Sequence, residues 1–369
     1  MTLSYTLSSV EDSHSVGMAI DGVTVLSGVQ TIAGGVTDIG TTVNSGASQA
    51  VLSGGSAVNA TLDGGTQSIA QGGTATGTAI NEGGVQSVAA RGGATDTTIN
   101  TGGVQVIAAD GSATGTQIFG GDMTVGGSAN GTSVTSGIMT VVSGGNVTDT
   151  QISGGTVNML GFAISTVMTS GVETVYGTDI GTQVNGGIQS VAVGGTATSA
   201  TINNRGIQNV AGTATDTTIN IGGTQHVSAG AIVTSTIVEG GTQELLEGAI
   251  VSGTIVNGGQ QTVESGTTAT STTVNSGVQV IAEGGNAIHT TVAGGEMIVS
   301  GGATGTSVTS GNMSVVAGGS VADTRISGGT VNMFGSAIST VMTSGVETVY
   351  GTDTGARLME VPRQLYRVA

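Results

Sequence analysis

The chain has 369 residues, with 69 glycines, one proline, no cysteine, 8% charged residues and a formal net charge of −17. Six arginines and no lysine offer no basic face for phosphate, which argues against nucleic-acid partners and against docking to an anionic membrane surface. Absent cysteine excludes disulfides and thiolate metal sites, glycine off any three-residue period excludes collagen, and abundant Val, Ile and Thr at positive mean hydropathy oppose disorder.

Residues 1–21 fit the rest of the chain poorly. Met1 to Ser9 show neither a basic n-region nor an apolar h-region, so no secretory signal peptide is expected here. No apolar stretch of bilayer-spanning length occurs, and no membrane insertion by this chain is expected. The segment reads either as an irregular cap over exposed backbone groups or as a loose remnant.

Over 22–355 one position recurs, two residues after a turn glycine and two before a β-former. It is held by Gln30, Gln49, Gln67, Gln86, Gln105, Met123, Met139, Val157, Glu173, Gln189, Gln208, Gln225, Gln243, Gln261, Gln279, Met297, Met313, Val331 and Glu347, at steps of 16 to 19 residues. Each unit offers two β-prone stretches separated by glycine turns: Gln-x-Val/Ile and Thr-x-Thr-x-Ile/Val-Asn. Alternation puts Gln86 and Val88 on one face and Ser87 on the other, with Thr97 and Ile99 inward and Thr98 and Asn100 outward. Helices are not expected, since glycine and β-branched residues fill every window.

A unit this short cannot bury its own apolar face, but stacked units can. The expected fold is all-β: a right-handed parallel β-helix, or β-solenoid, of about 19 short coils, roughly 90 Å of stacked strands at the usual spacing. Like residues would then stack on like, with Gln or Asn ladders sharing amide hydrogen bonds around a thin column of Val, Ile, Ala and Thr.

Shorter steps of 16 residues follow Met123, Val157, Glu173, Met297 and Val331, and smaller coils there should tighten the cross-section. Residues 154–181 recur at 328–355, an offset of 174, with 25 of 28 positions identical. That points to internal duplication. Residues 356–369 depart from the pattern: Pro362 and three of the six arginines lie there, and the next rung should fall near position 363. Where the first copy has Val184-Asn-Gly-Gly187, the second has Leu358-Met-Glu-Val361, which is what a one-base shift of plausible codons produces. The tail is therefore read as a frameshifted or a naturally divergent end, and the alternate reading frame of the gene decides between them.

No catalytic, cofactor or metal site is expected. His14, His226 and His289 are scattered, and the acids Asp63, Asp110, Asp122 and Glu239 stand singly in turns. A glycosidase would need paired carboxylates in a cleft, and a uronate lyase would need clustered cations, whereas Arg91 and Arg205 lie several coils apart. The glycine turns lack the aspartate that calcium-binding β-rolls require. A polysaccharide-binding or polysaccharide-degrading β-helix is the alternative reading, discriminated by a glycan panel. Outward hydroxyls recur instead: Thr42, Thr98, Thr201, Thr218, Thr273 and Thr291 each precede an inward Val or Ile. They suit a strand in any case, and they are also candidate glycan acceptors.

At Gly-Gly-Val-Gln-Ser-Val-Ala-x-x-Gly-Gly-x-Ala-Thr-x-Thr-x-Ile-Asn (83–100) and its many repeats the sequence resembles AIDA-type self-associating autotransporter adhesins. The resemblance covers about residues 22–355. It implies a passenger displayed on the bacterial cell surface or secreted, acting in adhesion, autoaggregation and biofilm formation. Implied partners are like passengers on neighbouring cells, host-cell surface receptors and an autotransporter heptosyltransferase acting on Ser and Thr. The signal peptide and translocator barrel of that family have no counterpart in the sequence.

Overall fold

The computed structural model describes residues 20–359, and the short strands Thr6–Leu7 and Leu365–Arg367 by their backbone. Most of the N-terminal segment and of the divergent tail therefore lies outside the described residues. Contacts divide the chain into two compact units, Met1–Thr182 and Gln183–Ala369. Each is a stack of parallel coils, and no helix occurs among the described residues.

One coil shows how residues become geometry. The rung strand Val85–Val88 leads through a four-residue turn into Gly93–Thr95, around a sharp corner at Asp96-Thr97, and into Thr98–Ile99. A second turn, 100–103, returns the chain to the next rung strand, Val104–Ile107. A coil of this kind thus has three strands where two were expected, and in others, such as Gln117–Val125 and Thr273–Ile281, the return strand runs on into the next rung strand. The missed one, Gly93–Thr95, is short and carries only Ala94 inward, too little apolar signal to stand out from a turn. Rung and return strands ladder into one sheet and the middle strands into another.

The corner separates these strands because its residue is left-handed: Asp96 has φ of 52°, and the residues stacked with it, Asn59, Gly77 and Gly115, share that conformation. Asn, Asp, Ser and Gly tolerate it best, and those types fill nearly every such corner. Its backbone stays paired by hydrogen bonds between coils, as in Asp96 N–H to the Thr114 carbonyl at 2.8 Å.

The Gly-Gly pairs divide their labour. The first glycine supplies positive φ, 73° at Gly83 and 75° at Gly102. The second turns inward, and a Cβ there would stand 2.5 Å from the carbonyl oxygen of the coil before, Leu62 for Gly84 and Ile80 for Gly103. Conformation explains one glycine and close stacking the other.

Gln86, Val88, Ala94, Thr97 and Ile99 all face the column and are essentially inaccessible. Each buried Val or Ile contributes about 1.5–3 kcal/mol relative to exposure. The neighbouring coils make that burial, so stability is a nearest-neighbour property.

Within each unit the expected rungs lie in register, from Gln30 opposite Gln49 to Val157 opposite Glu173 and from Gln189 opposite Gln208 to Val331 opposite Glu347. The short coils lose their residues mainly at one edge: the turn after the rung strand has four residues at 108–111 but two at Gly126-Gly127. At the far end Leu365 lies opposite Glu347, two residues later than a 16-residue step would place it.

Candidate functional surface

The interior sets the register of everything outside it. In the first unit Gln49 donates to Gln30 (2.8 Å), Gln67 to Gln49, Gln86 to Gln67 and Gln105 to Gln86 (each 2.6 Å). A second run holds Gln208, Gln225, Gln243, Gln261 and Gln279, each donating its amide to the rung before at 2.7–2.8 Å. In most of these coils an inward threonine also donates to the glutamine oxygen, as Thr97 does to Gln86 and Thr290 to Gln279. Within each run such an Oε1 accepts from the threonine and from the next glutamine, whereas at the last rungs, Gln105 and Gln279, which face Met123 and Met297, it accepts from the threonine alone.

The ladder has a direction, and an acid fixes it. Asp38 is wholly buried and accepts from Gln30, Gln49 and Thr41 at 3.1, 2.7 and 2.9 Å. An ionised carboxylate can only accept, so the amide beside it must donate and every later amide follows suit. Burial raises the Asp38 carboxyl above its ordinary range, and these three hydrogen bonds pull it back. The same rule governs two of the outer Asn ladders: Asn81 donates to Asp63 and Asn100 to Asn81, while Asn257 donates to Glu239 and Asn275 to Asn257; a third, Asn220 to Asn203 to Asn185, starts on an amide. Asp63 and Glu239, expected as lone solvated acids, are ladder starts.

Two carboxylate pairs escaped the sequence reading, which found acids only singly. Glu173 and Asp179 are buried together in the column, and so are the Glu347 carboxyl and the Asp353 oxygens. Burial first, then the neighbouring Asp353 charge and hydrogen bond, pushes Glu347 up to about 7. Burial likewise raises Asp353, against hydrogen bonds from Thr340 and Glu347. The signal was legible in principle, since Asp179 and Asp353 stand where other coils carry inward Ala or Val. These pairs face the packed column rather than a cleft.

The six candidate threonines begin return strands, and all are half-buried. Their rows are partial: Thr201 stacks on Thr218 and Thr273 on Thr291, and Thr42 lies between Thr24 and Thr61. Thr98 is flanked by Ala79 and Gln117. The middle strand, unseen in the sequence, carries the fuller display. Thr74, Thr76, Thr95, Ser112 and Thr114 are exposed in two adjacent rows, and Thr196, Thr198, Thr213 and Thr215 repeat the arrangement half-buried.

Other expected features resolve structurally. His226 Nδ1 lies 2.9 Å from Glu244 across adjacent coils, and His289 occupies a left-handed corner. His14 lies outside the described residues. Arg91 and Arg205 sit in turns with positive φ. Among the described residues no group of three or more His, Asp or Glu gathers as a metal site, and no helix could cross a membrane.

Among the described residues aromatic side chains lie outside the column, where Phe334 and Tyr350 stack with ring centroids 4.6 Å apart. No protein-family model matches the sequence, and no curated protein matches it. Among solved structures, the TibC-catalysed hyper-glycosylated TibA fragment is 32% identical, covering 89% of this chain and 99% of that one, with a TM-score of 0.39. The chain belongs to the TibA family of autotransporter-passenger-like β-helices. Identity over almost the whole TibA fragment carries that assignment. A Streptococcus pneumoniae surface protein and adhesin, PfbA, aligns over 92% of the chain at 6% identity and a TM-score of 0.24, too remote to bear on function.

Proposed function

We propose that this chain is part of a bacterial surface passenger that works as a non-enzymatic adhesive β-helix. It would promote self-association between like passengers on neighbouring cells, with autoaggregation and biofilm formation as consequences and host-cell receptors as further partners. The observation that carries this reading is the repetition of outward hydroxyls in stacked rows, joined to the 32% identity with a hyper-glycosylated TibA fragment. Many weak polar contacts repeated at coil spacing yield avidity without any single tight site.

The rows also suit covalent glycans. Thr42, Thr98, Thr201, Thr218, Thr273 and Thr291 are acceptor candidates, and the exposed Thr74, Thr76, Thr95, Ser112 and Thr114 are better placed for a heptosyltransferase of the autotransporter type. Exposure governs access, because the enzyme must reach the hydroxyl.

The test is display of the chain on non-aggregating bacteria, with and without such a transferase. Settling of displaying cells and a ladder of sugar-mass increments on the middle-strand peptides are expected. Cells that stay dispersed while the chain turns over or saturably binds a polysaccharide would overturn the reading.

A further inference from the structure

Stacking brings Arg325 and Arg357 into one cleft, although they stand two coils apart in the sequence. Each lies opposite Val341 of the coil between them. At ~4.8 Å per coil their Cα atoms are about 10 Å apart. Both side chains are exposed, and Val341 is half-buried. Beside them runs the corner row Asp323, Ser339 and Gly355, left-handed at φ of 50°, 61° and 84°. Its side chains shrink from carboxylate to hydroxyl to none. These residues line an open cleft of about 410 Å³.

Both arginines are available to a ligand. Among the described residues no carboxylate lies within ion-pair distance of either guanidinium. A guanidinium is always charged, and its planar fork of donors matches a carboxylate or a sulfate. The cleft is larger than a bare oxyanion needs and falls in the range of small-ligand sites, about 300–1,000 Å³. Asp323 repels a bare anion at its end of the cleft but accepts from hydroxyl groups, and Ser339 can do the same. Elsewhere a chain of net charge −17 resists an anionic ligand.

The duplication supplies a comparison within the molecule. At the offset of 174, Asp323, Ser339, Val341 and Gly355 recur as Asp149, Ser165, Val167 and Gly181, with the same left-handed corners. Arg325 and Arg357 correspond instead to Gln151 and Gln183. The backbone accepts a neutral amide at these positions, so the fold does not require the two charges.

We propose that this cleft binds an acidic sugar residue, a uronate or a sulfated hexose, through its oxyanion. Arg325 and Arg357 donate to the carboxylate or sulfate from either side of Val341, and Asp323 and Ser339 bond the ring hydroxyls. The sequence hides the pair because two whole coils intervene. This goes beyond the adhesive reading and does not depend on it.

The experiment titrates the full-length chain with galacturonate, galactose 6-sulfate, galactose and inorganic sulfate, following the arginine Nε–H signals by nitrogen-15 NMR. One or both acidic sugars should shift the Arg325 and Arg357 signals saturably and leave Arg91 in place, and the tighter of the two names the oxyanion. Galactose should bind at least about tenfold more weakly, because it lacks the charged acceptor. Arg325→Gln and Arg357→Gln, which install the residues of the first copy, should each weaken binding roughly tenfold at an unchanged melting temperature. Arg205→Gln should leave binding as it is. No shift with either acidic sugar overturns the proposal, as does equal binding of galactose. Inorganic sulfate binding as tightly as the sugars reduces the cleft to an ion site and overturns it too, as does full binding in both Gln variants. Settling of displaying cells plays no part, so this site and the adhesive reading fail separately.

Discussion

The coils around Gln86 and those around Met139 share a backbone plan but solve the buried-polar problem differently. Around Gln86 the amides bond down the column, and Thr97 donates to Gln86 at 3.3 Å. Around Met139 the rungs are Met123, Met139 and Val157, which accept nothing, and the hydroxyls of Thr132, Thr150 and Thr166 lie buried without a partner. The duplicated coils repeat the pattern with Met297 and Met313 above Thr306 and Thr324. Inward threonine is therefore kept where its acceptor is gone. The corner geometry is common to both regions, whereas the hydrogen-bonded column belongs to one.

If stacking alone sets the spacing, both regions should resist an added methyl equally. Gly103→Ala would bring Cβ to 2.5 Å from the Ile80 oxygen, and Gly127→Ala to 2.2 Å from the Gly111 oxygen. Both should destabilise by roughly 3 kcal/mol or more, because backbone cannot yield cheaply. Denaturant midpoints check this, and a tolerated Gly127→Ala would show the Met coils to be looser.

Removing a rung should separate the regions. Gln86→Met leaves the Gln105 amide and the Thr97 hydroxyl without their acceptor and should cost about 2–4 kcal/mol. Met139→Leu conserves volume in an apolar setting and should cost less than about 1.5 kcal/mol. Equal losses in chemical denaturation would abolish the distinction.

An acid buried in the column predicts a pH slope. A carboxyl whose folded pKa is raised from 4.5 to about 7, as at Glu347, holds its proton more tightly when folded. Its contribution is most favourable below the unfolded value and is lost as pH rises through the window between the two. Thermal stability should accordingly fall between pH 5 and pH 8, and Glu347→Gln should flatten that fall. A slope unchanged in Glu347→Gln would assign it to other acids, Asp38 among them, since burial raises its pKa too.

The smallest effect has opposite signs in the two regions. Thr97→Val removes a hydrogen bond and should cost about 1 kcal/mol, whereas Thr150→Val removes an unpartnered buried hydroxyl and should gain about 1 kcal/mol. Paired melting curves of the two variants read this directly.

Much of the surface was legible only in part. The outward threonines Thr42 and Thr98 were found because alternation beside a large inward Val or Ile makes a visible pattern. The better-exposed Thr76 and Thr95 were missed because their inward neighbours, Ala75 and Ala94, are too small to mark a strand. Asp353 drew no attention in the sequence for the same reason: its inward position is defined by Ala337 one coil away, not by adjacent residues.

The sequence by itself determined the period, the rung residues, the inward faces of Gln86, Val88, Thr97 and Ile99, and the duplication, since each is written in local spacing. Tertiary structure decided the third strand, the division of labour in each Gly-Gly pair, the polarity of the ladders and the burial of Glu347 against Asp353. Those properties depend on what the preceding coil presents some 16 to 19 residues away. Only stacking brings that neighbour into contact, so no local window contains it.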